Sequence, residues 1–573
     1  MKRLFFVAAT FLFALGAGVT QAAQQYIQSP PLSQVVKTQV GACSDKLPTE
    51  IPLITWGGDI ATIHANGGAN TKAGSVFANE GLSLTLVRED VFSRQVENYL
   101  SCKSPFLRGT MGMLSMAAGV TEQDPRTKMV VVYQMTWSAG GDALVVKAGI
   151  GKPADLKGKT IALQAYGPHV EYLTKMLTDA GLSLNDVTVK WTKDLTGPPP
   201  ANTPGGALRS DPSVDAAFVI IPDALALTSG GTVGTGAEDS VKGVEILLST
   251  KTANRIIADV YAVRKDYFDA NRANIQKFVH GLMVAEEELQ VLMDAKDKPA
   301  AYKPMIAGAA KILLDAEQAV ADTEGMYADA EFVGWKGNVK FFGDPNYPRR
   351  LDALSGEIQS AFVPLGLLSA KATLVHARWD YAALAAGLRD TSGVPAPKFN
   401  QAAVANVITK MQAQDTLDEN ALFSFTVRFE TDKSDIDPKL YKEAFNKVIE
   451  YASVYGGAIV VVEGHTDPNN YARKKARGAS PLVLQHIETA ARNLSKNRAN
   501  AVRNALVKYA TEKGVALDPS QFDVVGHSFT KPITGMCGDN YCYTENETEW
   551  RAKWAPQNMR AVFQIIAVEA EGF

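Results

Sequence analysis

Two residues in the last quarter of the chain are suited to hold opposite charges on one ligand. Asp467 ends the run Val462-Glu-Gly-His-Thr-Asp467, and Arg498 lies 31 residues later in Leu494-Ser-Lys-Asn-Arg-Ala-Asn-Ala-Val502, which has helical spacing. A carboxylate accepts the hydrogens of an ammonium, while a planar guanidinium takes a carboxylate bidentately, which lysine does not reproduce. Together they fit a group that carries an ammonium and a carboxylate on one carbon. A plain salt bridge between them needs the same residue types, so spacing alone leaves both readings open.

A second set of candidates follows apolar runs in the first half. In Thr55-Trp-Gly-Gly-Asp59, Gly57 and Gly58 permit close backbone approach, Trp56 offers a stacking face and Asp59 a charge. Gln164-Ala-Tyr-Gly-Pro-His169 leads into a helix with Pro168 at its first position, which puts Tyr166 and His169 at a strand-to-helix turn. Trp137, beside Gly140 and Gly141, and Asp223 complete the set. Each of these also suits packing or capping. No catalytic centre is visible: His169 with Glu171 lacks the His-Glu-x-x-His spacing of a zinc protease, and neither a Gly-x-Ser-x-Gly elbow nor a phosphate-cradling Gly-rich loop occurs. The expectation is a binding protein rather than an enzyme, without metal or cofactor.

Positioning these residues takes more than one domain, since 573 residues are about four times the ~150-residue prior. The net charge of −3, from 58 Lys+Arg against 61 Asp+Glu, lacks the basic excess of a nucleic-acid binder. Lys2 and Arg3, the apolar run 4–19 and Thr20-Gln21-Ala22 predict a signal peptide over residues 1–22, the apolar run being shorter than the ~20 residues that span hydrocarbon. No cysteine follows the cleavage site, so a lipid anchor there is not expected. In an exported chain four cysteines oxidise. Three pairings are open, and Cys43 with Cys102 and Cys537 with Cys542 keeps each bridge local.

Residues 23–50 are a polar leader. From 51 to 388, short apolar runs (51–55, 82–87, 129–133, 160–163, 216–221) alternate with helical stretches (170–180, 275–293), which predicts an α/β architecture with largely parallel sheet. Residues 389–420, with Pro395, Pro397 and a short helix at 401–414, read as a linker. In residues 421–573, Phe423, Phe425, Val427 and Phe429 alternate with polar partners. Helices at 438–451 and 494–509 and strands near 458–463, 523–526 and 561–568 then predict an α+β sandwich with helices on one face.

The two runs around Asp467 and Arg498 resemble the hallmark motifs of the OmpA-like peptidoglycan-binding domain. Phe429-Glu-Thr-Asp-Lys-Ser-Asp435, Gly526-His-Ser-Phe-Thr-Lys-Pro532 and Asn558-Met-Arg560 extend the resemblance in order over about 150 residues. It implies that Asp467 and Arg498 hold the diaminopimelate of a peptidoglycan stem peptide, with Asp432 and Arg560 beside them. The chain departs from the pattern at Asp432, where Asn is usual, at Ala491 and Met559, and in an insertion over 469–493 that carries Arg473-Lys-Lys-Ala-Arg477 and reads as a solvated loop.

Residues 51–388 resemble, more loosely, periplasmic solute-binding proteins of the nitrate, sulfonate and taurine ABC-transporter type. The likeness rests on 76–87, Asp155-Leu-Lys-Gly-Lys-Thr-Ile-Ala162, 213–217 with Pro222, and Asn274-Ile-Gln-Lys-Phe-Val279. It implies two α/β lobes closing on a small solute, with contacts at strand C-termini. The combined expectation is a non-catalytic periplasmic receptor fastened to the wall, with a membrane permease or another envelope protein as further partner. A structural protein that docks another protein, and a cell-wall enzyme, are the alternatives.

Overall fold

The structure is a computed structural model, which describes residues 24–567 apart from 45–46, 198–200, 231–232, 237–239, 296, 390–400, 415, 419 and 429–440. The expected signal peptide and Asp432 lie outside the described residues. The chain begins with β1 (Thr49–Leu53), α1 (Asp59–Asn66), β2 (Leu84–Arg88) and β3 (Phe106–Thr110), then α2 (Met111–Thr121) and β4 (Met129–Ser138). It continues with β5 (Asp142–Val146), β6 (Thr160–Gln164), α3 (His169–Asp179), β7 (Thr188–Thr192), β8 (Ala216–Ile220) and β9 (Glu245–Ser249). It returns through β10 (Ala258–Arg264), α4 (Lys265–Asp294), β11 (Ala330–Phe332), α5 (Leu351–Phe362) and β12 (Val375–His376).

Two sheets result. β11-β4-β10-β3 is antiparallel, with β12 parallel to β4, and β1 pairs with β2 in parallel alongside. In the other, β7-β6-β8-β5-β9, the first three strands are parallel and β5 runs against both neighbours. The sheets are therefore mixed, where alternating runs predicted a largely parallel one. The antiparallel pairs come where the chain changes lobe: β5, the first strand after the passage at 139–141, and β10, the first after the return at 250–257, each run against both neighbours. All ten residues of β4 and all five of β5 are buried, because both faces of these central strands are covered, and a polar alternation would bury unpaired groups.

The leader is built into this body rather than preceding it. Ile27 bridges to Trp191 of β7, Leu32 and Val36 enter the core, and the Cys43–Cys102 disulfide closes the segment onto the first lobe.

The rest of the chain forms α6 (Gln401–Ala413), β13 (Ala421–Arg428), α7 (Lys442–Val454), β14 (Ala458–Gly464), α8 (Asn469–Ala476), α9 (Pro481–Glu512), β15 (Phe522–Gly526), the short β16 (Met536–Cys537) and β17 (Asn540–Tyr541), and β18 (Arg560–Ala567). The sheet order is β13-β18-β14-β15, with only β14 and β15 parallel. Helices cover both of its faces, not one. Phe445, Val448, Val502 and Leu506 of α7 and α9 pack on Val460, Val462 and Phe563, while Val404 and Ile408 of α6 pack with Ile459, Val461, Val525 and Ile566. The helix expected within the linker is thus a layer of this unit. The insertion 469–493 is helical as well: its basic run forms α8 and the remainder lengthens α9.

Candidate functional site

The segments that carry Asp467 and Arg498 meet at the C-terminal ends of β14 and β15. Gly464 and Gly526, which face each other across the pair, have no room for a side chain. A Cβ on Gly464 would lie 2.0 Å from Ser495 O, and one on Gly526 would lie 2.8 Å from Ser495 Oγ. Helix α9 therefore presses its Ser495 turn onto both strand ends, and Ser495 Oγ accepts the Ser528 N–H at 3.0 Å. Arg498, half-buried, is on the next turn, and Asp467 follows the end of β14 just after Thr466, whose N–H donates to Ser528 O at 2.7 Å. Arg498 is not near a helix N-terminus, as its local sequence predicted, because α9 starts at Pro481.

Asp467 is held by three donors. Its Oδ1 accepts Asn469 N–H and Trp550 Nε1–H, both at 2.8 Å, and its Oδ2 accepts Asn558 Nδ2–H at 2.6 Å. Buried Asn558 is itself fixed by the Ile533 and Thr534 amides, which donate to its Oδ1. Arg560 donates to Lys531 O at 2.9 Å, and burial lowers its pKa. Under the site, Glu463 is bonded to His527 (3.0 Å) and lies 3.6 Å from His465; the two imidazoles stack at 5.0 Å. Burial raises the Glu463 pKa, but the two histidines outweigh it and hold it at about 2. The Cys537–Cys542 bridge closes the β16–β17 turn. Trp550 was not picked out in the sequence, being 83 residues from the carboxylate it bonds; nothing in its local pattern signals that contact.

The N-terminal candidates divide. Trp56 and Asp59 reach the seam between the lobes. Trp56 Nε1–H donates to Thr136 Oγ1 at 3.0 Å and its ring lies against Gly141 in the first passage between lobes. Asp59 is entirely buried, paired with Arg108 at 2.8 Å, and Arg108 pairs on its other side with Asp259 at 2.7 Å. Burial pushes the Asp59 pKa up to about 7 in spite of Arg108. His169, also fully buried, bonds Asp142 at 2.7 Å, whose other oxygen accepts Ser138 Oγ–H at 2.6 Å. Two of the expected contacts point elsewhere. Trp137 is on the opposite face of β4, against Phe341 and the Arg255 guanidinium, because neighbours on a strand alternate sides. Tyr166 donates its hydroxyl to Pro30 O of the leader at 2.6 Å. Asp223 is at the start of a short helix, half-buried, with its pKa raised by burial. Arg108, Asp142, Glu171 and Asp259, which dominate the seam, lie inside apolar-looking runs or helices and carry no motif.

Among the described residues no cluster of three or more His, Cys, Asp or Glu could hold a metal ion, and no helix is long and apolar enough to cross a membrane.

Residues 428–539 match the model of the OmpA family and residues 72–203 that of the NMT1/THI5 like family. The fold is therefore an α/β unit of mixed sheets followed by an OmpA-type domain. Among solved structures, the chain is similar to a putative sulfonate ABC transporter periplasmic sulfonate-binding protein from Methylobacillus flagellatus KT, with 17% identity over 57% of this chain and 89% of that one at a TM-score of 0.39. It is also similar to the periplasmic aliphatic sulphonate binding protein of Escherichia coli, with 16% identity over 61% and 97% at 0.37, and to a desulfurization enzyme, DSZB, with 15% identity over 57% and 95% at 0.35. No curated protein matches the chain.

Proposed function

We propose that this chain is an exported, non-catalytic solute receptor fastened to the cell wall. Residues 1–22 direct export, residues 51–388 hold a small solute between the lobes, and residues 421–573 grip the diaminopimelate of a peptidoglycan stem. In that grip Asp467 takes the ammonium and Arg498 the carboxylate, with Arg560 and Asp432 alongside. What supports the reading is that the helix bearing Arg498 packs its Ser495 turn on the ends of β14 and β15, just before Asp467, in a segment matching the OmpA family. A permease of the inner membrane would take the solute onward.

The full chain should sediment with purified peptidoglycan sacculi. Asp467→Ala or Arg498→Ala leaves a charged ligand group unpaired, which costs about 2–5 kcal/mol, so sedimentation should weaken by roughly 30-fold or more. Folded variants that sediment like the parent would place the wall contact elsewhere.

A second reading, a structural envelope protein whose N-terminal unit docks another protein, is favoured by one feature. At the seam the chain's own groups satisfy one another, Asp59 and Asp259 through Arg108 and Glu171 through the Gly112 amide. This reading predicts neither solute-dependent stabilisation nor lobe closure.

A further inference from the structure

Helix α2, eleven residues long, begins at the seam; the Thr110 hydroxyl caps it by accepting Met113 N–H at 3.2 Å, and the Gly112 amide meets the other lobe. An exposed helix N-terminus of this kind attracts anions through its unpaired N–H groups. Here the place is taken by the chain itself. Glu171, on the first turn of α3 in the opposite lobe, accepts Gly112 N–H through Oε2 at 3.0 Å. Gly112 makes the approach feasible, since a Cβ there would lie 2.9 Å from Glu171 Cδ.

The rest of the seam is also anionic. Four carboxylates lie along it: Asp59 and Asp259 share Arg108, whose donors are spent on them and on Gly109 O, Asp142 is bonded to His169, and Glu171 has only the more remote Arg349 to lower its pKa by charge. An independent feature points to what is wanted there. Glu171 is 1% exposed, and its Oε1 is buried with no hydrogen-bond partner among the described residues. A buried carboxylate oxygen in that position calls for a donor. Burial pushes the Glu171 pKa up to about 8, although the Thr110 hydroxyl and the Gly112 amide lower it. A cation beside it would return it to the charged form.

We propose that the cleft selects a cationic nitrogen donor, a protonated amine or amidine, that Glu171 recognises it through Oε1, and that the same carboxylate keeps oxyanions from the α2 N-terminus. The proposal rests on the solute-receptor reading and specifies its ligand class.

The test is the melting temperature of the full chain, titrated with putrescine, agmatine and benzamidine on one side and methanesulfonate and nitrate on the other. At least one cation should give a saturable increase and the oxyanions none. Glu171→Gln, which keeps the shape and removes the charge, should weaken that cation's apparent affinity at least tenfold. Stabilisation of the parent by methanesulfonate or nitrate would overturn the charge selection while leaving a solute receptor in place. An unaltered cation affinity in Glu171→Gln would overturn the role of this residue. No response to any probe would overturn the ligand class and count against the receptor itself, in favour of the protein-docking reading.

Discussion

The Tyr455 hydroxyl donates to Asp179 Oδ2 at 2.7 Å, joining the end of α7 in the OmpA-type unit to the end of α3 in the second lobe. Around it, Lys175 Nζ pairs with Asp179 at 2.7 Å and with Glu450 of α7 at 2.6 Å. Two backbone hydrogen bonds, Arg255 N–H to Val454 O and Gly457 N–H to Thr252 O, both 3.1 Å, seize the returning passage between the lobes. A Cβ on Gly457 would lie 1.8 Å from Lys251 O. The two units are thus in direct contact, not merely strung on a linker, and part of the contact falls on the segment by which the chain returns between the lobes.

Docking of this kind should appear as thermodynamic coupling. Tyr455→Phe removes one buried donor to Asp179 and should cost about 1–2 kcal/mol in urea denaturation. A double-mutant cycle with Lys175→Met should give a coupling of at least about 0.5 kcal/mol, because both residues serve the same carboxylate. Strict additivity would mean that the contact contributes no joint stability.

The pH response of the N-terminal unit should carry the mark of Glu286 on α4. Tyr133 OH donates to its Oε1 at 2.8 Å and Gly334 N–H to its Oε2 at 3.1 Å, yet burial pushes its pKa up to about 8. A carboxyl whose folded pKa exceeds its unfolded value holds more protons when folded, so stability falls as pH rises between the two, from about 4.5 to about 8. Its contribution to the slope is at most about 1.4 kcal/mol per pH unit. Glu286→Gln should flatten denaturation midpoints over that window; a slope unaltered by the substitution would assign the effect to other acids.

The disulfides should differ in weight. Cys43–Cys102 spans 59 residues and Cys537–Cys542 only 5. Chain-entropy reasoning gives about 4 kcal/mol for the first and about 2 for the second. Paired Cys→Ser variants, compared by denaturant midpoint, should show the larger loss for Cys43 and Cys102, which also hold the leader on the first lobe. Equal losses would mean that strain or residual structure, rather than loop length, governs both.

Much of this was legible in the residues themselves. The alternation of Phe423, Phe425 and Val427 marked β13, the run to Asp467 marked the end of β14, and both cysteine pairs followed from proximity along the chain. These features depend on periodicity or on near neighbours, which a chain records locally. Tertiary structure alone decided the others. Arg498 lies deep in a 32-residue helix because the insertion continues α9, and the basic run that reads as a loop is α8. Trp137 turned to Phe341 and Arg255 while Trp56 met Thr136 and Gly141, because neighbouring residues of β4 face opposite sides. Asp59, Arg108 and Asp259 come from α1, β3 and β10, and Glu171 meets Gly112 from another lobe. Charges so distant in sequence are paired only when packing excludes water from between them, and the free energy of that exclusion belongs to the assembled fold rather than to any segment of it.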